Sequence, residues 1–293
     1  MVILFNCDVS FRFVFFVPKE IHMKFKIALL SIASALSIGA QAADWSDNSV
    51  GYRYAPSQSE PGVSDKVKKN ILTFTHVSGD KMGMNLFTID LLKSNSVDPS
   101  NGGASGAQEW YGFYKRSMSL TALTGEKTTF GFAKDISVTG RIDAGAKNTE
   151  FAPAPFKTRL GLSAAMPVSA GFWDFGIDLY KESNHNGITK KSVDFDTVPA
   201  LTSAWAIPIG PGTLGGFLDV VAPKGKDGFG DKTKTETLLR ATYLFDVGGA
   251  KSQLKAGLGV EYWNNKFGCN NAASGVKNSC KATTPLLLVE YHL

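Results

Sequence analysis

Charged and aromatic residues fall on alternate positions of otherwise apolar segments, and this placement is the first chemical fact of the chain. From Phe172 to Tyr180, Trp173, Phe175, Ile177 and Leu179 hold one parity, while Asp174 and Asp178 sit on the other. Strand geometry sends successive side chains to opposite faces, so such a segment has one apolar and one polar face. The same reading along the chain assigns to the polar face Arg53, Asp90, Glu109, Lys115, Asp135, Arg141, Asp143, Arg159, Asp174, Asp178, Glu182, Asp219, Arg240, Lys255, Glu261 and His292. The rings of Phe172, Tyr180, Phe217 and Trp263 share that parity. Burying so many ionisable groups dry and unpaired is costly, so this face is either wet or densely ion-paired. Flat rings beside carboxylates and guanidiniums suit weak binding of a small polar solute by stacking and hydrogen bonding. Phe172, Tyr180, Phe217 and Trp263 are the stacking candidates, with Asp90, Arg141, Asp174, Asp178, Arg240 and Glu261 as polar partners.

Other chemistries find less support. Nucleophilic catalysis needs a Ser or Thr beside a His that a third group orients, and after residue 42 the only histidines are His76, His185 and His292. No G-x-S-x-G, H-E-x-x-H or Cys/His metal spacing occurs, and the Gly228–Lys232 stretch lacks the strand-to-helix setting of a phosphate cradle. No catalytic residue, metal site or cofactor is expected. The 31 Lys+Arg against 26 Asp+Glu leave a formal charge of +5, scattered along the chain, which argues against a nucleic-acid partner.

Residues 23–42 read as an export signal. Lys24 and Lys26 form a basic start, Ile27 to Ile38 an apolar centre, and Ala40-Gln41-Ala42 a cleavage site. Residues 1–22 then form an upstream extension arising from start-site choice, with an extended targeting segment as the alternative. Removing residues 1–42 takes away four cations and two anions, so the mature chain 43–293 carries +5 − 2 = +3. It keeps Cys269 and Cys280, for which a disulfide in an oxidising compartment is the expectation and two free thiols the alternative.

The elements that must position these residues are strands of about ten residues, the length a tilted strand needs to cross a bilayer. Strands are expected at 48–55, 69–78, 83–94, 108–119, 130–143, 156–167, 171–183, 193–207, 213–223, 234–246, 252–264 and 282–293, with Thr121 to Thr129 as a loop. Their connections alternate between short turns and long loops rich in Gly, Asn, Ser and Lys. This predicts an all-β, antiparallel transmembrane barrel of about 12 strands with both chain ends on one side, in the outer membrane of a Gram-negative bacterium. The last strand ends apolar, with Leu287, Val289, Tyr291 and Leu293 on one parity. Parity is ambiguous at 69–78, where Ile71, Thr73, Thr75 and Val77 compete with Leu72, Phe74 and His76.

Several stretches carry a resemblance: ADWSDNSVGYRY at 43–54, KNILTFTHVSG at 69–79, NLFTIDLLKSNSVDPSNG at 85–102, GAQEWYGFY at 106–114, PKGKDGFG at 223–230, EYWNNKFG at 261–268 and the terminal VEYHL. In this order they resemble the Tsx-like family, nucleoside-specific channel-forming proteins of the bacterial outer membrane. The resemblance implies a narrow barrel that admits nucleosides or similar small solutes by diffusion. It also implies a monomer in outer-membrane lipid, inserted by the barrel-assembly machinery. Leu293 stands where the family usually ends on an aromatic, and the cysteine pair is not a family feature. A general small-solute porin, or a closed barrel with adhesive or structural loops, are the alternatives.

Overall fold

The computed structural model describes residues 43–249, 252–271, 275 and 278–293. The segments expected as an upstream extension (1–22) and a signal (23–42) lie outside the described residues. The alternating segments form β1 (Trp45–Gln58), β2 (Val67–Asp80), β3 (Gly83–Ser94), β4 (Gln108–Ser119), β5 (Asp135–Lys147), β6 (Phe156–Ala165) and β7 (Phe172–Asn186). After these come β8 (Lys191–Asp194), β9 (Val198–Ile209), β10 (Gly212–Val221), β11 (Glu236–Asp246), β12 (Leu254–Asn264) and β13 (Lys281–His292). Every pairing is antiparallel between chain neighbours, except that β7 also pairs directly with β9 and β1 pairs with β13. The β1–β13 ladder, with Tyr52 opposite Val289, closes the sheet into a ring of twelve strands. The thirteenth, β8, is a short hairpin partner of β7 outside the ring.

Period-2 alternation is what makes closure work. Leu160, Leu179 and Leu258 point outward with 61%, 61% and 64% of their surface exposed, whereas inward Asp143 has none. The register carries one face from strand to strand: Arg53 opposite Ile71, Asp90 opposite Tyr111, Lys115 opposite Arg141, and Arg240 opposite Glu261. In β2 the inward face is Ile71, Thr73, Thr75 and Val77, because Thr73 meets inward Arg53 and Asp90.

Connections 81–82 and 210–211 are tight turns at the end where β1 begins and β13 finishes, here the terminal end. At the opposite, long-loop end run 59–66, 95–107, 148–155, 187–197, 222–235 and 265–280. Two expected strands need correction. The fifth begins at Asp135 rather than residue 130. Residues Leu120–Thr124 form a five-residue helix, α1, capped by Ser119 and ended by left-handed Gly125. Gly131 is also left-handed (φ 57°), which breaks the extended backbone between Phe130 and Phe132. The expected strand 193–207 is two strands, β8 and β9, because Phe195 and Asp196 turn aside to bond the carbonyls of Glu182 and Lys224.

Candidate functional site

The inward face is densely ion-paired. On the wall made by β1, β2 and β3, Arg53 donates to Thr73 Oγ1 at 2.8 Å and to Asp90 at 2.5 Å. Beside it, Arg240 of β11 donates from Nε to Glu261 of β12 at 2.8 Å, and Gln58 donates to the same carboxylate at 2.8 Å. The guanidinium of Arg240 lies 5.2 Å from the ring centre of Phe217.

The other wall belongs to β4, β5, β6 and β10. Arg141 grips Asp143 with two hydrogen bonds of 2.8 and 2.6 Å and lies 3.9 Å over the Phe113 ring. Fully buried Asp143 also accepts the Tyr111 hydroxyl. Arg159 makes a two-pronged pair with Asp219 at 2.8 and 2.6 Å. Forked pairs of this kind hold planar groups in fixed orientation.

The structure separates the four candidate rings. Phe217 is half-buried beneath Arg240. Tyr180 is 1% exposed; its hydroxyl donates to Glu182, and Arg159 and Lys224 cover the ring at 4.8 and 5.8 Å, so it is enclosed. Trp263 stands near the long-loop end, where its indole N–H donates to Glu236 at 2.8 Å and Phe267 meets it edge-on. Phe172 starts β7 at the terminal end, far along the strand from Tyr180, and is 38% exposed. Among the acids, Asp90 and Glu261 are held as above. Asp178 accepts Thr139 at 3.3 Å and approaches Arg159 at 3.9 Å, while Asp174 is half-buried on the same face of β7. Sequence reasoning missed Tyr111, Phe113 and Lys157, although the first two share the parity of Glu109 and Lys115.

Loops shape the long-loop mouth, and periodicity gave no signal for them. Glu60, just past β1, is 4% exposed and binds three ammonium groups: Lys69 at 2.7 Å, Lys147 at 3.0 Å and Lys266 at 2.8 Å. Lys69 also pairs with Glu109 at 2.8 Å, and Lys147 with Asp98 at 2.8 Å. Lys147 closes β5, and Lys266 follows β12. Along the ring β12–β13–β1–β2–β3–β4–β5 is six of twelve steps, so the two lysines come from opposite walls. Their shared carboxylate therefore strides the mouth. Burial by itself would raise the Glu60 carboxyl, but Lys266, Lys69 and Lys147 outweigh it and hold the group well below the usual carboxylate range. Burial, with the charge of Lys69, pulls Lys266 below its ordinary value against the pull of Glu60. On the other half of the mouth Lys224 reaches in to Glu182 and lies 4.6 Å from the Phe195 ring centre. Cys269 and Cys280 are joined by a disulfide, Cα to Cα 5.9 Å, in the loop that carries Lys266.

On the outward parity of β2, His76 Nε2 and the Oγ of Ser78, a residue only 4% exposed, stand 3.2 Å apart, since residues two apart on a strand share a face. Among the described residues no group of three or more His, Cys, Asp or Glu is placed to hold a metal ion.

No family model matches the chain, and no curated protein matches it. Among solved structures it is similar to the KdgM porin, at 10% identity over 83% of this chain and 98% of that one, with a TM-score of 0.42. The translocator domain of the autotransporter NalP from Neisseria meningitidis is 11% identical over 93% and 97%, with a TM-score of 0.45. OccK5 (OpdH) of Pseudomonas aeruginosa is 12% identical over 86% and 98%, with a TM-score of 0.28. At such identities and scores the likeness carries no argument about what this chain does.

Proposed function

We propose that the chain is a channel of a Gram-negative outer membrane that passes nucleosides or similar small solutes by diffusion. The observation that carries this reading is the division of faces around a closed ring. Exposed Leu160, Ile177, Leu258 and Leu287 belong to an apolar band on strands all round the outside, while guanidiniums, carboxylates and rings face in. A continuous apolar surface of that extent calls for lipid rather than water. The cleavable export signal read at 23–42, and the start of β1 and finish of β13 at one end of the barrel, fit insertion from the periplasm by the barrel-assembly machinery, as a monomer.

The nucleoside reading deepens this one. It rests on the family resemblance and on inward rings such as Phe217 and Phe113, each with an arginine over it. Base stacking contributes about 1–3 kcal/mol. A site that must also release its solute suits dissociation constants near ~1 mM, or about −4 kcal/mol. Uptake of radiolabelled nucleosides into proteoliposomes tests it: saturable entry faster than that of a sugar of equal size supports the reading, and equal rates reduce the protein to a general small-solute porin.

One observation favours a second reading. The strap of Glu60 across the mouth suits a closed barrel whose loops serve adhesion or structure. Proteoliposomes that admit no small solute at all would favour it.

A further inference from the structure

We propose that Ser78, His76 and Asn48 on the outer face of the barrel form an acyl-hydrolase site for carboxylic esters of membrane glycerolipids. The site lies outside the lumen, with Ser78 itself only 4% exposed, so an ester must displace the side chains around it; the proposal rests on the proposed membrane setting but not on the channel activity. His76 and Ser78 are two apart on β2, and Asn48 is the cross-strand partner of His76 on β1. His76 Nδ1 meets Asn48 Oδ1 at 2.8 Å, and His76 Nε2 meets Ser78 Oγ at 3.2 Å.

Neighbouring hydrogen bonds set the direction of these contacts. The Tyr114 hydroxyl donates to Asn85 Oδ1 at 2.6 Å, which turns the Asn85 amide nitrogen toward Ser78, where it donates to Oγ at 3.3 Å. An oxygen that accepts from Asn85 keeps its own proton for His76. Because Asn48 Oδ1 can only accept, the imidazole proton resides on Nδ1, and Nε2 is left with the lone pair that a general base needs. Nucleophile, base, orienting group and a side-chain amide donor beside the nucleophile thus occur together.

Depth along the strand selects the substrate. On the membrane side lie Phe74 and Phe87, ring centres 6.3 Å apart, on the same outer face. On the terminal side Arg116 clasps Asp80 with two bonds of 2.8 Å. The site thus sits where an aromatic surface gives way to charge, the level of the hydrocarbon–headgroup boundary, where the glycerol ester carbonyls of lipids lie.

The reaction balances without a co-reactant other than water. Ser78 Oγ bonds to the ester carbonyl carbon as its proton passes to His76 Nε2, and the Asn85 amide faces the oxyanion. The C–O bond to the glycerol breaks, and the leaving alkoxide takes the proton from His76. Water, giving a proton to His76 Nε2, then bonds to the acyl carbon; the bond to Ser78 Oγ breaks, Oγ takes the proton back from His76, and the fatty acid leaves. Ser78 and His76 are the catalytic residues; Asn48 is a positioning residue.

The test uses the folded full barrel in vesicles of phosphatidylethanolamine and phosphatidylglycerol, following fatty-acid release, with a fluorophosphonate probe and peptide mass mapping in parallel. Expected are an adduct on Ser78 and release of fatty acid and lysolipid. S78A and H76N should lose both, N48A should lose most of the release, and N48D should restore it by again orienting the imidazole. S78A should keep the same channel current, because the residue faces away from the lumen, so failure here and failure of the channel reading are separable. A folded barrel with neither adduct nor release overturns the proposal. Release that S78A leaves unchanged also overturns it, and hydrolysis of a soluble short-chain ester without lipid turnover overturns the lipid assignment.

Discussion

Lys147 and Lys266 leave opposite walls of the barrel and meet at one carboxylate, that of Glu60, at 3.0 and 2.8 Å. Lys266 is buried there and Lys147 nearly so, and Lys69 completes the cluster at 2.7 Å. The first long loop is thereby drawn across the opening.

Cutting one side of this strap should widen the passage. K147Q leaves Glu60 bound to Lys69 and Lys266 but frees it from the β5 wall. Single-channel conductance is expected to rise several-fold, with circular dichroism unchanged. E60Q should raise it further. Conductance equal to that of the parent would place the constriction elsewhere.

The strap should be insensitive to mild acid. The carboxyl of Glu60 is held below its unfolded value by Lys266, Lys69 and Lys147, with Glu109 and Asp98 also facing those lysines. Its stabilising contribution is complete above the ordinary carboxyl range, near about 4.3, and is lost only as pH falls through the lower folded value. Conductance is expected to stay constant from about pH 7 to about pH 5 and to rise only in stronger acid. Titration of the current checks this, and E60Q should abolish the acid step.

A charge on the outer face should be destabilising. Ile177 lies mid-strand in β7 and is 54% exposed. In water an exposed Ile→Arg change would be nearly neutral, whereas at the bilayer midplane arginine costs about 2–4 kcal/mol. Equilibrium urea unfolding of I177R in lipid should show that loss.

Much of this architecture is legible in the chain. Alternation locates all twelve ring strands and assigns Arg53, Arg141, Arg240 and Glu261 to the inside, because one apolar parity and one charged parity leave no choice of face. It is silent in β2, where Thr73 and Leu72 compete equally and only the contacts of Thr73 with Arg53 and Asp90 decide. It overruns at 130–134, where left-handed Gly131 interrupts a pattern that side-chain polarity alone continues. The mouth was not legible: Lys266 and Glu60 are 206 positions apart and sit in loops without a period. Parity also reports direction but not enclosure. Tyr180 does face inward, yet Arg159 and Lys224 cover it, a fact that belongs to two strands and a loop.

Removing a buried carboxylate from the lumen should expose how tightly the walls are paired. Asp143 is wholly buried and anchors both Arg141 and Tyr111. D143A leaves the guanidinium without its partner, and breaking a buried pair costs roughly 3–5 kcal/mol. The midpoint of urea unfolding should fall accordingly, and pairing D143A with R141M should recover part of the loss.

The most direct test of the channel account is single-channel current through the purified barrel in a planar bilayer, with and without millimolar adenosine or thymidine. A small conductance, reversibly reduced by the nucleoside and less so in F217A, is the predicted result. A correctly folded barrel that passes no current would contradict it, and a current indifferent to nucleosides would contradict the proposed solute.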